Sequence, residues 1–211
     1  MKATFFAMAA VLAATTASAP AKAATPGQDT AAANMEVFGE ARAPIGYTQF
    51  CGQFPQECAV RGRGRTNMSL TESRWRELDA INRSVNRAIK PLTDMEIYGV
   101  TEYWTLPATA GDCEDYALMK RKLLMERGWP ASSLLMTVVR DERGEGHAVL
   151  TARTAQGDFV LDNKVDGVKI WFKTPYQFVM RQSYLNPKVW VGLEAGDTSR
   201  PASLAGVSSR R

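Results

Sequence analysis

The stretch GDCEDYALMKRKLL, residues 111–124, places one cysteine among three carboxylates at the predicted start of a helix. Gly128 and Pro130 mark the end of that helix, so we predict it over residues 112–127. Apolar side chains surround much of its circumference, which predicts a central position in the fold, although Lys120 falls on the same side as Cys113. A helix N-terminus lowers the pKa of a thiol and neighbouring acids raise it, so the setting of Cys113 calls for an explanation.

The N-terminal residues have the features of a secretory signal peptide. Lys2 precedes a short apolar, small-residue run, and AKA at 21–23 is a small-x-small cleavage signature. The run is too short for a membrane span and no stop-transfer pattern follows, so we expect no membrane insertion after cleavage; an uncleaved anchor is the alternative. Export from a bacterium-like host would place the mature protein in the periplasm, our prediction, or outside the cell.

Composition divides the whole chain into four segments. We predict a signal peptide at 1–23, a flexible Ala/Thr/Gly-rich lead-in at 24–40, one domain at 41–193 and a disordered tail at 194–211. Hydrophobic residues make up 45% of the sequence, enough for a substantial core. The net charge of +4 falls to +2 when Lys2 and Lys22 leave with the signal peptide, too small a charge to indicate a nucleic-acid partner.

The three cysteines divide into a pair and a single residue. Cys51 and Cys58 flank a turn-rich segment, and in an oxidising compartment we expect them to form a disulfide; two buried free thiols are the alternative. Cys113 is then the odd cysteine. In an exported protein such a residue either pairs with another molecule or is a working thiol.

The pattern of elements predicts an α+β fold. A helix is predicted over 69–90, with Ser69 and Glu72 as a capping box. After the cysteine helix come short apolar runs separated by Gly-containing turns, at 134–139, 146–153, 158–162, 168–171 and 186–193, with 175–183 as either a short helix or the start of a strand. We therefore predict an antiparallel meander with the cysteine helix packed against one face of the sheet.

The residues themselves indicate a thiol nucleophile and its base. The sequence has a single histidine, His147, at the start of a predicted strand between two small residues. A free cysteine at a helix start and an accessible histidine are the minimum set for thiolate chemistry. Asp162, at the end of the adjacent hairpin strand, is the candidate to orient the imidazole, or else it only begins the next turn. Asp158 and Asp166 are rivals, but both look like turn residues.

Three motifs in order, GDCEDYALMKRKLL, GHAVL and VLDN, resemble the bacterial transglutaminase-like cysteine proteinases, the family of the LapG-type periplasmic proteases. Weaker matches extend the resemblance over about residues 41–193. It implies a papain-like, transglutaminase-like core in which Cys113 is the nucleophile, His147 the general base and Asp162 the orienting residue. It also implies an exported protein as substrate, such as a biofilm adhesin, and an inner-membrane regulatory protein as partner.

The resemblance further implies calcium, with acids beside the nucleophile as ligands. In this sequence those are Asp112 and Glu114, with Asp115 as a further candidate, and calcium prefers such hard oxygens. The alternative is an ordinary helix start, in which Asp112 is the N-cap and the other two are first-turn acids. Two other functions fit the same three catalytic residues: transglutaminase-type acyl transfer to an amine, and a non-catalytic binding domain of the same fold.

Overall fold

The computed structural model describes Met1 and residues 33–60 and 68–195. The α-helices are α1 (Ile45–Gln53), α2 (Glu72–Ala88), α3 (Asp94–Tyr98) and α4 (Cys113–Glu126). The strands are β1 (Glu40–Ala41), β2 (Lys90–Pro91), β3 (Ala110–Gly111), β4 (Leu134–Arg140), β5 (Gly146–Thr154), β6 (Gly157–Leu161), β7 (Lys169–Ile170), β8 (Gln177–Gln182) and β9 (Trp190–Gly192). Short 3₁₀ turns lie at Pro55–Cys58, Ala131–Ser133 and Trp171–Lys173. The α+β prediction is confirmed.

Helix α4 is the central element of the fold. It packs against β5 and β4 on one side and against α2 on the other, and most of its first two turns are buried. Gly128 has a φ of +83°, which suits glycine, and the amides of Gly128 and Trp129 return to carbonyls of the last turn. The apolar circumference read from the sequence therefore does correspond to a central helix. Lys120 is fully buried with it.

Seven antiparallel strands form one sheet in the order β1-β9-β8-β4-β5-β6-β7. The predicted meander is present from β4 to β7. Beyond β7 the chain returns across the sheet, and β8 pairs with the free edge of β4. Strand β4 therefore lies inside the sheet, and six of its seven residues are buried. In the pairing of β4 with β5, Val139 lies opposite His147. His147 is thus near the first end of β5, and this end lies next to the start of α4.

Helix α2 begins later than the capping box predicts. Its N-cap is Thr71, whose Oγ1 accepts a hydrogen bond from the Arg74 amide at 3.3 Å. The amide of Leu70 donates instead to Oε1 of Gln156, which ties the residues before the helix to the β5–β6 turn. After α2, the two-residue strand β2 pairs in parallel with β3, and this pairing fixes the backbone of Gly111 ahead of the cysteine.

Cys51 and Cys58 form a disulfide between α1 and the following 3₁₀ turn, as predicted. Cys113 is the free cysteine and is half-buried. The pairing of the first two cysteines leaves one thiol for chemistry, at the start of the central helix.

Three predicted segments lie outside the described residues: the signal peptide apart from Met1, residues 24–32 of the lead-in, and residues 196–211 of the tail. These assignments and the domain boundaries stay predictions. The described part of the lead-in contacts the sheet, since the Met35 amide donates to Oδ2 of Asp158 at 2.8 Å. Among the described residues, no helix combines the length and apolar character needed to cross a membrane.

Candidate active site

The fold brings Cys113, His147 and Asp162 to one place. Cys113 is the first residue of α4, His147 is the second residue of β5, and Asp162 follows β6 directly. The backbone amide of Ala148 donates to Sγ of Cys113 at 3.4 Å, so the thiol lies against the strand position next to the histidine. The packing of α4 on β5 thus sets the distance between the thiol and the imidazole-bearing strand.

His147 and Asp162 form a buried hydrogen-bonded pair. Nε2 of His147 lies 2.9 Å from Oδ1 of Asp162, and the two residues are 2% and 5% exposed. Burial alone raises the pKa of Asp162, but hydrogen bonds from His147, Tyr176 and the Lys164 amide outweigh it and lower the pKa to about 2. An ionised carboxylate can only accept a hydrogen bond, so Nε2 carries a proton, and in the neutral imidazole Nδ1 then keeps the lone pair.

Two further side chains hold Asp162, and sequence reasoning missed both. The Tyr176 hydroxyl donates to Oδ2 of Asp162 at 2.5 Å, and Nδ2 of Asn86 donates to the Asp162 carbonyl at 2.9 Å. Tyr176 directly precedes β8. It belongs to the segment 175–183, for which the sequence predicts either a short helix or the start of a strand. Nothing in the sequence of that segment indicates that the chain returns to the end of β6.

The thiol of Cys113 lies in an acidic setting. Its S–H donates to Oε2 of Glu114 at 3.1 Å. Burial, together with the negative charges of Glu114 and Asp112, raises the pKa of the thiol well above its ordinary value. The backbone amide of Ala148 opposes this shift but does not reverse it. With the charges of the acids uncompensated, the thiol stays protonated.

Three carboxylates, Asp94, Asp112 and Glu114, form the group we call the acidic trio. Each offers one oxygen, and these oxygens lie within 4.8 Å of one another. Oδ1 of Asp94 and Oδ1 of Asp112 are buried and have no hydrogen-bond partner. Burial and the neighbouring Asp112 raise the pKa of Asp94 to about 6. Three carboxylates at this spacing, two of which have a buried oxygen without a hydrogen-bond partner, fit a hard divalent cation such as calcium, which takes oxygen ligands.

Two members of the acidic trio, Asp112 and Glu114, are ligands that the sequence analysis predicts. The third member, Asp94, is one that it missed. Asp94 begins α3, where Thr93 and Glu96 form a capping box. That box is visible in the sequence and would have located the helix start. It would not have shown that the Asp94 amide donates to Oδ2 of Asp112 at 3.2 Å.

Asp115, the further candidate ligand, has a different neighbourhood. Its Oδ1 accepts a hydrogen bond from the Thr105 amide at 2.8 Å, while its buried Oδ2 has no hydrogen-bond partner. Burial raises the pKa of Asp115 to about 8. Its role as a ligand stays a prediction, and its visible role is to hold the loop before β3 against the start of α4.

That loop is anchored in the core by Trp104. The indole is 1% exposed, its ring packs edge-on against Tyr47 and Trp190, and its Nε1 donates to Oε1 of Glu102 at 3.0 Å. These contacts give Trp104 a structural role. The loop that it anchors ends at β3, directly ahead of Asp112 and Cys113.

Comparison with known proteins gives one family and a set of solved structures. The sequence profile of the family described as "Bacterial transglutaminase-like cysteine proteinase BTLCP" matches residues 37–198. Calcium-bound LapG of Legionella pneumophila is 23% identical, with a TM-score of 0.48 over 61% of this chain and 75% of that one. An EGTA-treated form of the same protein is also 23% identical, with a TM-score of 0.46 over 55% and 65% of the two chains. A search of curated proteins found no match.

Proposed function

The chain belongs to the bacterial transglutaminase-like cysteine proteinases, and on that premise we propose that it is an exported endopeptidase whose catalytic residues are Cys113, His147 and Asp162. Membership makes it a cysteine peptidase that acts on protein. The observation that carries the residue assignment is the 2.9 Å contact between Nε2 of His147 and Oδ1 of Asp162, beside a free cysteine at a helix start.

The proposed chemistry begins with proton transfer. Nδ1 of His147, which keeps its lone pair, accepts the proton of the Cys113 thiol, and the thiolate attacks the carbonyl carbon of a peptide bond. Asp162 stays ionised, because its pKa is about 2, and stabilises the imidazolium through Nε2–H. The tetrahedral intermediate carries a negatively charged oxygen, for which the backbone N–H of Cys113 at the helix start is the natural donor.

The intermediate then breaks down in two steps. The imidazolium gives its proton to the leaving amine as the carbon–nitrogen bond breaks, leaving a thioester between Cys113 and the acyl half of the substrate. A water molecule then loses a proton to Nδ1 and attacks the thioester, and the proton returns to the departing thiolate. If an amine replaced the water, the same residues would carry out transglutaminase-type transfer.

We also propose that the acidic trio holds calcium, with Asp115 as a candidate further ligand. The argument rests on the buried Oδ1 atoms of Asp94 and Asp112, which have no hydrogen-bond partner, and on the preference of calcium for several carboxylate oxygens. When bound, the ion would supply positive charge that offsets the acids beside the thiol. Titration calorimetry with calcium, alongside the rise in melting temperature that binding produces, tests this without any assay of activity.

Substrate, partner and location follow from the resemblance to the LapG-type proteases. We propose a periplasmic enzyme, released by cleavage after residue 23, that cuts a biofilm adhesin or another exported protein. An inner-membrane regulatory protein is the proposed partner. Proteomics of the surface proteins released by cells with wild-type or Cys113→Ala protein would identify the substrate.

The deciding experiment is cleavage of an adhesin fragment by wild-type protein and by Cys113→Ala, with calcium added. We expect fragments from the wild type and none from the variant, while circular dichroism shows that both are folded. Equal cleavage by the two proteins would refute the assignment of the nucleophile. A labelled primary amine in the same reaction separates hydrolysis from acyl transfer, since only transfer incorporates the label.

A further inference from the structure

Tyr176 contacts both members of the His147–Asp162 pair. Its hydroxyl donates to Oδ2 of Asp162 at 2.5 Å. Its ring packs edge-on against the imidazole of His147, with 5.6 Å between ring centroids and an angle of 68° between planes. One side chain therefore touches the carboxylate and the ring that the carboxylate orients, without belonging to either of their strands.

The hydroxyl completes the hydrogen bonding of the carboxylate. Oδ1 of Asp162 accepts from Nε2 of His147 at 2.9 Å and from the Lys164 amide at 3.0 Å. Oδ2 accepts from Tyr176. A carboxylate held at one oxygen only can rotate about its χ2 torsion, because that torsion is broad. The third donor fixes the plane of the group, and with it the direction in which Oδ1 faces the imidazole.

Tyr176 itself is held in place by its surroundings. The 3₁₀ turn before it is fixed by Trp171, whose Nε1 donates to the Ala33 carbonyl at 2.9 Å and whose ring packs edge-on against Phe178. Oγ1 of Thr174 donates to the Trp171 carbonyl at 2.7 Å. Tyr176 lies two residues after Thr174, and its hydroxyl contacts Asp162. A group supported in this way is preorganised to hold another side chain.

We infer that Tyr176 is a positioning residue of the active site, one that fixes the Asp162 carboxylate so that His147 keeps its proton on Nε2 and its lone pair on Nδ1. The inference rests on the proposed function, because it assigns Tyr176 a role in the proton transfer proposed there. Tyr176 need not touch substrate; it acts through Asp162. Removing the hydroxyl should therefore change how fast the bound substrate reacts and leave substrate binding nearly unchanged.

The sequence offers an unusually clean readout of this role. His147 is the only histidine among the 211 residues, so the imidazole nitrogen signals of a tag-free, ¹⁵N-labelled protein belong to one side chain. Their chemical shifts report which nitrogen carries the proton. We expect the Nε2–H form in the wild type and a mixture of both neutral forms in Tyr176→Phe, which keeps the ring and loses the hydroxyl.

The matched control is Tyr184→Phe. Tyr184 lies beneath the guanidinium of Arg153, at 4.9 Å from its ring centroid, at the end of β5 opposite to His147. The control removes the same hydroxyl from a tyrosine remote from the pair and should leave the nitrogen spectrum and kcat as in the wild type. For Tyr176→Phe we expect kcat to fall roughly 10- to 100-fold, with KM within about twofold, as for loss of one hydrogen bond to a charged group.

A second background tests whether the hydroxyl acts through Asp162. In Asp162→Asn the carboxylate is absent, so adding Tyr176→Phe should change the nitrogen spectrum little further. A wild-type spectrum and kcat in Tyr176→Phe would overturn the inference. So would a fall in kcat accompanied by an unchanged spectrum, because Tyr176 would then act elsewhere. If the wild type cleaves no protein, the proposed function fails, but the spectra still decide the role of Tyr176.

Discussion

The backbone amide of Asp94 donates a hydrogen bond to Oδ2 of Asp112 at 3.2 Å, which joins two acidic residues that lie 18 positions apart in the sequence. One oxygen of each, Oδ1, is left buried without a hydrogen-bond partner. Two like charges held this close in a buried setting destabilise the chain unless a cation lies between them or they take up a proton. The arrangement therefore makes the stability of the protein depend on what binds to the acidic trio.

Replacement of Asp94 should have opposite effects with and without calcium. Asp94→Asn removes one negative charge, so we expect a higher melting temperature than the wild type in the presence of a chelator. With calcium added, the variant should gain less stability than the wild type, because it has lost a charged ligand. Thermal unfolding of both proteins, once with a chelator and once with calcium, measures both differences in melting temperature.

Glu96→Gln provides the control for that prediction. Glu96 lies on the same short helix but caps it through Thr93 instead of facing the trio. Its replacement should leave the calcium-induced rise in melting temperature unchanged. An equal rise in Asp94→Asn, Glu96→Gln and the wild type would remove Asp94 from the metal site.

The Asp162 carboxylate should contribute to stability as well as to activity. Its pKa is about 2 in the folded protein, against an ordinary value of about 3.9. A lowered folded-state pKa means that the stabilisation is complete above about pH 4 and disappears as the pH falls towards 2. We expect Asp162→Asn to lose about 2–3 kcal/mol of unfolding free energy at neutral pH, a difference that shrinks on acidification.

Urea unfolding of wild type and variant from pH 7 down to pH 3 measures that difference. Asp166→Asn is the control, since Asp166 belongs to the same loop but its side chain is 52% exposed. In activity assays, Asp162→Asn should lower kcat by on the order of 10³–10⁴-fold, because an amide favours the wrong imidazole tautomer. A constant stability gap at all pH values would contradict the stated cause of the pKa shift.

How much of the site the sequence predicts depends on how each residue reaches it. Cys113, His147 and Asp162 lie at the ends of a helix and of two hairpin strands, and a short hairpin fixes its own register. The hairpin pattern in the sequence is therefore sufficient to predict that His147 and Asp162 lie close together. The packing of the central helix on β5 follows from its apolar circumference.

The missed residues depend on contacts that local sequence does not encode. Tyr176 reaches Asp162 only because the chain crosses back after β7 so that β8 pairs with β4, a pairing between distant segments. Asp94 joins Asp112 through one backbone hydrogen bond from a five-residue helix. Turn residues and hydrophobic periodicity describe each of these segments alone, but neither describes how the segments meet.

Lys120 provides a test of the buried face of α4. It is fully buried, with its ammonium 5.8 Å from the ring centroid of Tyr116, and burial lowers its pKa to about 7 despite the opposing charges of Asp162 and Asp166. An unfolded lysine has a pKa of about 10.4, so the unfolded state binds more protons between these values and stability rises with pH from about 7 to 10.

We expect Lys120→Met to be stabilised relative to the wild type most strongly at pH 7 and below. The gap should narrow by on the order of 3–4 kcal/mol as the pH is raised to 10. Urea unfolding of both proteins between pH 7 and pH 10 measures this difference in unfolding free energy. Lys122→Met, on the same helix but only partly buried, is the matched control for the change of side chain. A stability gap for Lys120→Met that does not change with pH would mean that water reaches the ammonium in solution.

Gly111 tests how closely the start of α4 must fit the loop before it. A Cβ at this position would lie 2.4 Å from Oδ2 and 2.8 Å from Cβ of Asp115, so one of the two backbones must move. Because Asp112 and Cys113 follow directly, the displacement moves the thiol relative to His147. We expect Gly111→Ala to lower the unfolding free energy by about 1–3 kcal/mol. We expect kcat to fall on the order of 100-fold.

The matched control is Gly52→Ala. Gly52 lies within α1, where an added Cβ meets nothing within 4 Å, so this change should raise stability by about 0.5–1 kcal/mol and leave kcat unchanged. Calcium titration of Gly111→Ala adds a second readout, since Asp112 and Glu114 move with the helix start and the affinity should fall. Wild-type kcat and affinity in Gly111→Ala would show that the helix start tolerates displacement, and the close approach of Gly111 to Asp115 would then have no part in holding the site.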